Sequence, residues 1–185
     1  MLVLTHVFSK TRLFEHTSFR THVFSNTRDV FLVTQVMEAC HLPSNTHLAV
    51  KTMDLRMARM RQRNDPMVKI RKEMKIQASL KHPNIVRLYT WFEEPSFAYM
   101  VMEWVKGGDL FDFLAEMSTE QVSEEQAKFM FRQLLKGVEY LHARDIVHRD
   151  LKPENVMLAD KSERPRLKIT DFGQDAHQKS ALLFN

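Results

Sequence analysis

The chain has 185 residues, enough for one domain or two small lobes. Its 44% hydrophobic and 27% charged residues, with both signs intermixed, exclude an intrinsically disordered polypeptide, and a net charge of only +4 does not point to a nucleic-acid partner. A single cysteine, Cys40, excludes an internal disulfide and fits a reducing compartment, and no stretch nears the ~20 apolar residues of a membrane span.

The first eight residues are apolar, but Thr5 and His6 interrupt them and Lys10 and Arg12 follow, so a secretory signal is not expected. Together these features predict a soluble intracellular protein, cytoplasmic or nuclear, without a membrane partner. The octet Thr5–Arg12 recurs sixteen positions later as Thr21–Arg28, with only Lys10 exchanged for Asn26. Two copies are too few for a solenoid. Residues 1–29 therefore read as a flexible tail carrying a duplication, with a hairpin or docking element as the other reading.

A globular pattern begins near Val30. Val30–Met37 and Leu48–Asp54 are short, rich in β-branched and apolar residues, and flank a turn at His41–Asn45, as in a hairpin. Asp65 and Pro66 supply a cap and a first-turn proline for a helix to about Leu80, stopped by His82-Pro83-Asn84. The Lys and Arg run between Arg56 and Lys81 is interrupted by acidic and apolar residues, which suits a solvated face. Strands are predicted at Ile85–Phe92 and Ala98–Glu103, and a break at Gly107-Gly108, the first glycines in the chain. Leu110–Met117 reads as a helix. Ser123–Ala143 reads as a longer one, with a Ser123/Gln126 capping box and a core stripe of Ala127, Met130, Phe131, Leu134, Leu135, Val138 and Leu141. Short strands follow near Val156–Leu158 and Leu167–Thr170.

Strands with one helix, then a glycine break, then mostly helix suggest two lobes with a ligand cleft between them. The polar loop after the long helix reads His148-Arg149-Asp150-Leu151-Lys152-Pro153-Glu154-Asn155, and Asp171-Phe172-Gly173 follows the last strand. Phosphoryl transfer asks for a base, hard oxygen ligands for a metal and a lysine for the nucleotide. Asp150, Asn155 and Asp171 are residue types that suit the first two.

These two segments match, position by position, the catalytic loop and metal loop of the protein kinase family. Lys152, two residues after the aspartate, resembles the serine/threonine branch. The resemblance implies an α+β two-lobe fold, here incomplete: a small β-rich lobe with one helix over residues 30–103, and a partial helical lobe over 104–173. It implies ATP and Mg²⁺ as cofactors and protein serine and threonine hydroxyls as substrates, with Asp150 as base, Lys152 as its helper on the phosphate side, and Asn155 and Asp171 as metal ligands.

The same resemblance makes Lys51, in Leu48-Ala49-Val50-Lys51, the lysine for the α- and β-phosphates, and Glu73 its ion-pair partner. Val36, Ala49 and Met157 would sandwich the adenine ring, and Met102 would stand behind it. Taken alone, each of these apolar side chains suits ordinary core packing equally well. Glu103, Trp104 and Val105 would form the hinge whose backbone meets the adenine edge, Asp109 would contact the ribose, and Arg149 would pair with an activation-segment phosphate. Leu80–Val86 and Gly107–Asp112 look most like calmodulin-dependent and checkpoint-type kinases.

The chain departs from the family pattern at both ends. Asp29, Phe31 and Thr34 stand where the glycines of the phosphate-covering loop belong, and Gln174–Asn185 holds no Ala-Pro-Glu motif. The expectation is a truncated member with a non-kinase tail over 174–185. Its alternatives are an active kinase, a pseudokinase that binds nucleotide or a partner, and a fragment without activity. Oligomeric state is not legible.

Overall fold

The computed structural model describes residues 19–21, 33–41, 44–56, 67–117 and 122–172. They group into two compact units, one of residues up to Val68 with Leu88–Trp104, the other of Lys69–Arg87 with residues from Val105 on.

In the first unit, the described strands β1 (Phe19–Thr21), β2 (Val33–His41), β3 (Thr46–Asp54), β4 (Leu88–Glu93) and β5 (Phe97–Glu103) form one antiparallel sheet in the order β1-β2-β3-β5-β4. The β2–β3 hairpin runs from Val33↔Asp54 to His41↔Thr46. Asn45 takes a left-handed φ of 50° at its turn, a conformation that asparagine tolerates. Alternation along the strands sends Ala39, Leu48, Val50, Tyr99 and Val101 into one core, with Phe92 and Phe97 packed against it.

Phe19–Thr21, inside the stretch read as tail or hairpin, pairs with Met37–Ala39 and gives the outer edge of β2 its backbone partners. Ile85 does not begin the fourth strand of the sheet, which starts at Leu88. Ile85 instead bridges Ile169 in the second unit, because the amide of Val86 and the carbonyl of Asn84 are both bonded to Ile169. The rest of the repeated octets, the Asp65-Pro66 helix start, the substituted glycine positions Asp29 and Phe31 and the segment from Gly173 lie outside the described residues, whereas Thr34, the third such position, lies in β2 opposite Met53.

Helix α1 (Met67–Ser79) ends next to the expected stop. The second unit adds α2 (Leu110–Glu116), α3 (Glu124–His142), a 3-10 turn at Pro153–Asn155, and the hairpin of β6 (Val156–Leu158) and β7 (Leu167–Ile169). The capping box of α3 forms as read: Ser123 Oγ accepts from the Gln126 amide and Gln126 Oε1 from the Ser123 amide. Leu80, Ile85, Leu141, Ile146, Ile169 and Phe172 form one core, and Leu110, Met130, Val156, Leu158 and Leu167 a second, with Leu134 packed against both.

The stripe on α3 is narrower than predicted. Met130 and Leu141 are buried, whereas Phe131 is 60% and Leu135 51% exposed. Ala127, at the start of the stripe, is exposed as well, and at about 100° per residue Phe131 and Leu135 are each one residue step round from Met130 and Leu134.

Gly107 and Gly137 make contrasting demands. A Cβ at Gly107 would stand 2.5 Å from the Leu158 carbonyl oxygen and 2.6 Å from that of Asp160, both backbone. At Gly137 the nearest atom is the end of the Ile169 side chain, 2.8 Å away, which can rotate. Gly107→Ala should therefore lower stability by about 1–3 kcal/mol. Gly137→Ala should cost less, because the gain in helix propensity of about 1 kcal/mol offsets the crowding. Urea denaturation of both variants checks this, and equal midpoints would contradict it.

Candidate active site

The register of the first unit puts four of the expected nucleotide-contacting residues on one face. Val36 is opposite Lys51, Lys51 opposite Met100, and Ala49 opposite Met102. Directly paired residues point to the same side of a sheet, and Ala49 and Lys51 are two apart. The face carrying Val36, Ala49, Lys51 and Met102 is thus the reverse of the aromatic core built on Val50 and Tyr99. Glu103, paired with Leu48, ends β5 on the other side. Glu73 lies half-buried on α1 in the stretch that belongs to the second unit.

Within the second unit, Asp109 and Met157 form an antiparallel bridge. It is held by the Gly107 amide on the Leu158 carbonyl (2.8 Å) and the Leu158 amide on that of Gly108 (2.9 Å). Asp109 also caps α2, its Oδ1 accepting from the Asp112 amide at 2.8 Å. Val105 is buried nearby in sequence.

The two polar loops of this unit are tied to each other. His148, buried, donates from Nε2 to the Thr170 carbonyl (2.9 Å), while its Nδ1 faces the Asp150 amide at 3.4 Å. Those roles require the neutral imidazole protonated on Nε2. The Thr170 amide in turn donates to the Asn155 carbonyl (3.0 Å), so Asp171 follows directly on a residue fixed from both sides. Phe172 is fully buried, its ring centroid 5.2 Å from that of His148.

Asp150 is the centre of the first loop. Asn155 Nδ2 donates to its carbonyl at 2.7 Å and to Oδ2 at 3.1 Å, and Lys152 Nζ stands 3.0 Å from the same Oδ2. The carboxylate is held by two donors yet keeps 42% of its side-chain surface open. Arg149 and Asp171 both have positive φ, 63° and 58°. Left-handed non-glycine residues carry strain that surrounding contacts must over-determine, and such residues gather at functional loops.

The donor set fits Mg²⁺. Both contacts of Asn155 to Asp150 are made by Nδ2, so its Oδ1 would be the atom offered to a cation, and the Asp171 carboxylate would be a second hard donor. Mg²⁺ takes one or two protein oxygens and fills its octahedron with water and phosphate.

Three contributors were not read from the sequence as site residues: His148, Asn84 and Gln133. In the sequence Asn84 reads as a helix stop within the Leu80–Val86 resemblance, whereas in the fold its Nδ2 donates to Gln133 Oε1 (3.1 Å) and to the Leu167 carbonyl (2.9 Å). A signal for Gln133 did exist, since it is a polar residue on the buried face of α3, between Met130 and Gly137 at helical spacing.

The protein kinase domain family matches residues 32–182. The SNF1-related protein kinase catalytic subunit alpha KIN12 of Arabidopsis thaliana is 46% identical over 106 residues, 57% of this chain and 20% of that protein. Death-associated protein kinase 2 of Mus musculus is 42% identical over 126 residues, 68% of this chain and 34% of that one. Among solved structures, the crystal structure of Rad53 1-466 in complex with AMP-PNP superposes with a TM-score of 0.67 at 33% identity, covering 84% of this chain and 38% of that one.

The chain therefore belongs to the protein kinase family, on its serine/threonine side. It spans about a fifth to a third of the length of these curated relatives.

His148 and His82 both titrate below the ordinary value, chiefly because burial disfavours the charged ring. At His148 the Thr170 carbonyl, Asp150 and Asp171 oppose that effect, and at His82 Arg144, Lys136 and Lys168 add to it. The folded chain then binds fewer protons than the unfolded one below pH ~6.5, so stability is full above that pH and falls as the solution is acidified through it. The melting temperature should drop between pH 6.5 and 5.5. The drop should shrink in His148→Gln, which keeps one donor and one acceptor without a charge change. An unaltered pH dependence in that variant would contradict the neutral, buried role of His148.

Proposed function

We propose that the chain is the nucleotide- and metal-handling part of a serine/threonine protein kinase, acting with ATP and Mg²⁺ on protein hydroxyls inside the cell. The observation that carries this reading is the Asp150 carboxylate, contacted by Asn155 and Lys152 while 42% of its side-chain surface stays exposed.

In this reading Asp150 accepts a hydrogen bond from the substrate serine or threonine, orients its oxygen toward the γ-phosphorus and takes its proton as the new O–P bond forms. The bond from phosphorus to the bridging oxygen breaks, and ADP leaves with that electron pair. Lys152, beside Asp150, offers its remaining N–H donors to the transferred phosphoryl group. This chemistry depends on positioning and charge stabilisation rather than on a covalent intermediate with the protein. Mg²⁺ held by Asn155 and Asp171 would neutralise phosphate charge. Lys51, on the same sheet face as Val36, Ala49 and Met102, would pair with the α- and β-phosphates while those three side chains receive the adenine. Glu73 is the proposed ion-pair partner of Lys51. Backbone groups of Glu103 and Val105 would meet the adenine edge, with Met157 and Asp109 serving its other face and the ribose.

The test is transfer of labelled phosphate from ATP to a basic serine-containing peptide, alongside a thermal-shift measurement with Mg-ATP. Asp150→Ala should reduce transfer by roughly 10²–10⁴-fold while the Mg-ATP shift persists. A nucleotide shift without transfer by the unsubstituted chain would indicate a binding pseudokinase. No shift at all, or transfer undiminished in Asp150→Ala, would defeat the kinase reading.

A further inference from the structure

Strand β7 leads directly into Asp171 and is bonded along both edges. One edge pairs with β6, where Val156, Met157 and Leu158 lie opposite Ile169, Lys168 and Leu167. The other edge is satisfied from α3 and the loop after α1. The Leu167 amide donates to Gln133 Oε1 (3.0 Å), and the Leu167 carbonyl accepts from Asn84 Nδ2 (2.9 Å). The Ile169 amide donates to the Asn84 carbonyl and the Ile169 carbonyl accepts from the Val86 amide, both at 2.9 Å.

Gln133 uses both ends of its amide in this arrangement. Its Oε1 accepts from Leu167 N and Asn84 Nδ2, and its Nε2 donates to the Pro165 carbonyl at 3.0 Å. One side chain thus grips the entering chain at two points two residues apart, with an acceptor for one and a donor for the other. At Gly137, one turn further along α3, an added Cβ would meet the end of the Ile169 side chain at 2.8 Å and the Asn84 carbonyl oxygen at 3.3 Å, so α3 packs closely on this face. Sliding β7 by one residue would set the Gln133 carbonyl against a carbonyl or leave Leu167 N unpaired in a part-buried place. It would also turn every side chain of the strand to the opposite face.

We propose that Gln133 is a positioning residue that sets the register of β7 and thereby the location of Asp171, two residues beyond Ile169. The proposal rests on the kinase reading only in taking Asp171 as a metal ligand. Gln133 touches no substrate and acts through Leu167, Pro165 and Asn84.

Two variants of the full chain test it. Gln133→Met keeps the length of the side chain and loses all three hydrogen bonds, whereas Gln133→Glu keeps the acceptor and loses the donor to Pro165. Two readouts are taken: the amide NMR signals of Thr170 and Asp171, and ATP affinity measured with Mg²⁺ and again in EDTA.

Gln133→Met should move the Thr170 and Asp171 signals and weaken ATP binding about tenfold in Mg²⁺ only, at the low end for outer-shell metal partners. Gln133→Glu should give a smaller change in the same direction. A residue that merely stabilised the fold would lower the folded fraction, weakening both affinities alike and leaving the signals of the folded population in place. Either of those results would overturn the proposal. If Gln133→Met fails to fold, Gln133→Glu decides by the same readouts. If the unsubstituted chain binds no ATP, the kinase reading fails separately and the Thr170 and Asp171 signals still decide the register.

Discussion

Thr170 is held at both ends of its backbone, its amide on the Asn155 carbonyl and its carbonyl under the His148 imidazole. The polar groups of the two motif loops, Asp150, Asn155 and Asp171, are tied together through that grip. Asn155, fixed by it, turns its side-chain amide to Asp150. His148, fixed by it, steadies the Asp150 amide. Asp171 is the next residue along. Two loops separated by more than a dozen residues thus behave as one polar scaffold, and burial of Phe172 and His148 beneath it keeps water from competing for those bonds.

That arrangement explains why strain is tolerable at Arg149 and Asp171. A left-handed non-glycine residue costs about 1–2 kcal/mol, and each of these sits beside a residue bonded to the opposite loop, Arg149 beside His148 and Asp171 beside Thr170. The side of β7 away from β6 makes the same point at longer range. Its bonds come from a glutamine on α3 and from Asn84 and the Val86 amide in the loop after α1, so the helix, the loop and the metal-side strand are tied to one another.

Much of this was legible in the sequence because it is local. The capping box of α3 needs only Ser123 and Gln126, the hairpins need alternation and a turn, and the shared side of Ala49 and Lys51 needs only their spacing of two. The motif residues Asp150, Lys152, Asn155 and Asp171 were legible through resemblance alone. What the sequence hid depends on distant pairing. Asn84 and Gln133 are 49 positions apart, and Asn84 and Leu167 are 83 apart, so no local pattern joins them. The pairing of Phe19–Thr21 with β2 was hidden behind a repeat that looked like tail. The exposure of Phe131 and Leu135 was misread because helical periodicity marks an apolar face without saying how wide a neighbour covers it.

The central claim is that the two loops form one rigid polar unit through Thr170, and hydrogen exchange at its amide tests it most directly. The account predicts that the Thr170 amide exchanges about as slowly as that of Ile169, whose bond to Asn84 lies in the buried core. A Thr170 amide that exchanges at the rate of an open loop while Ile169 stays protected would contradict it.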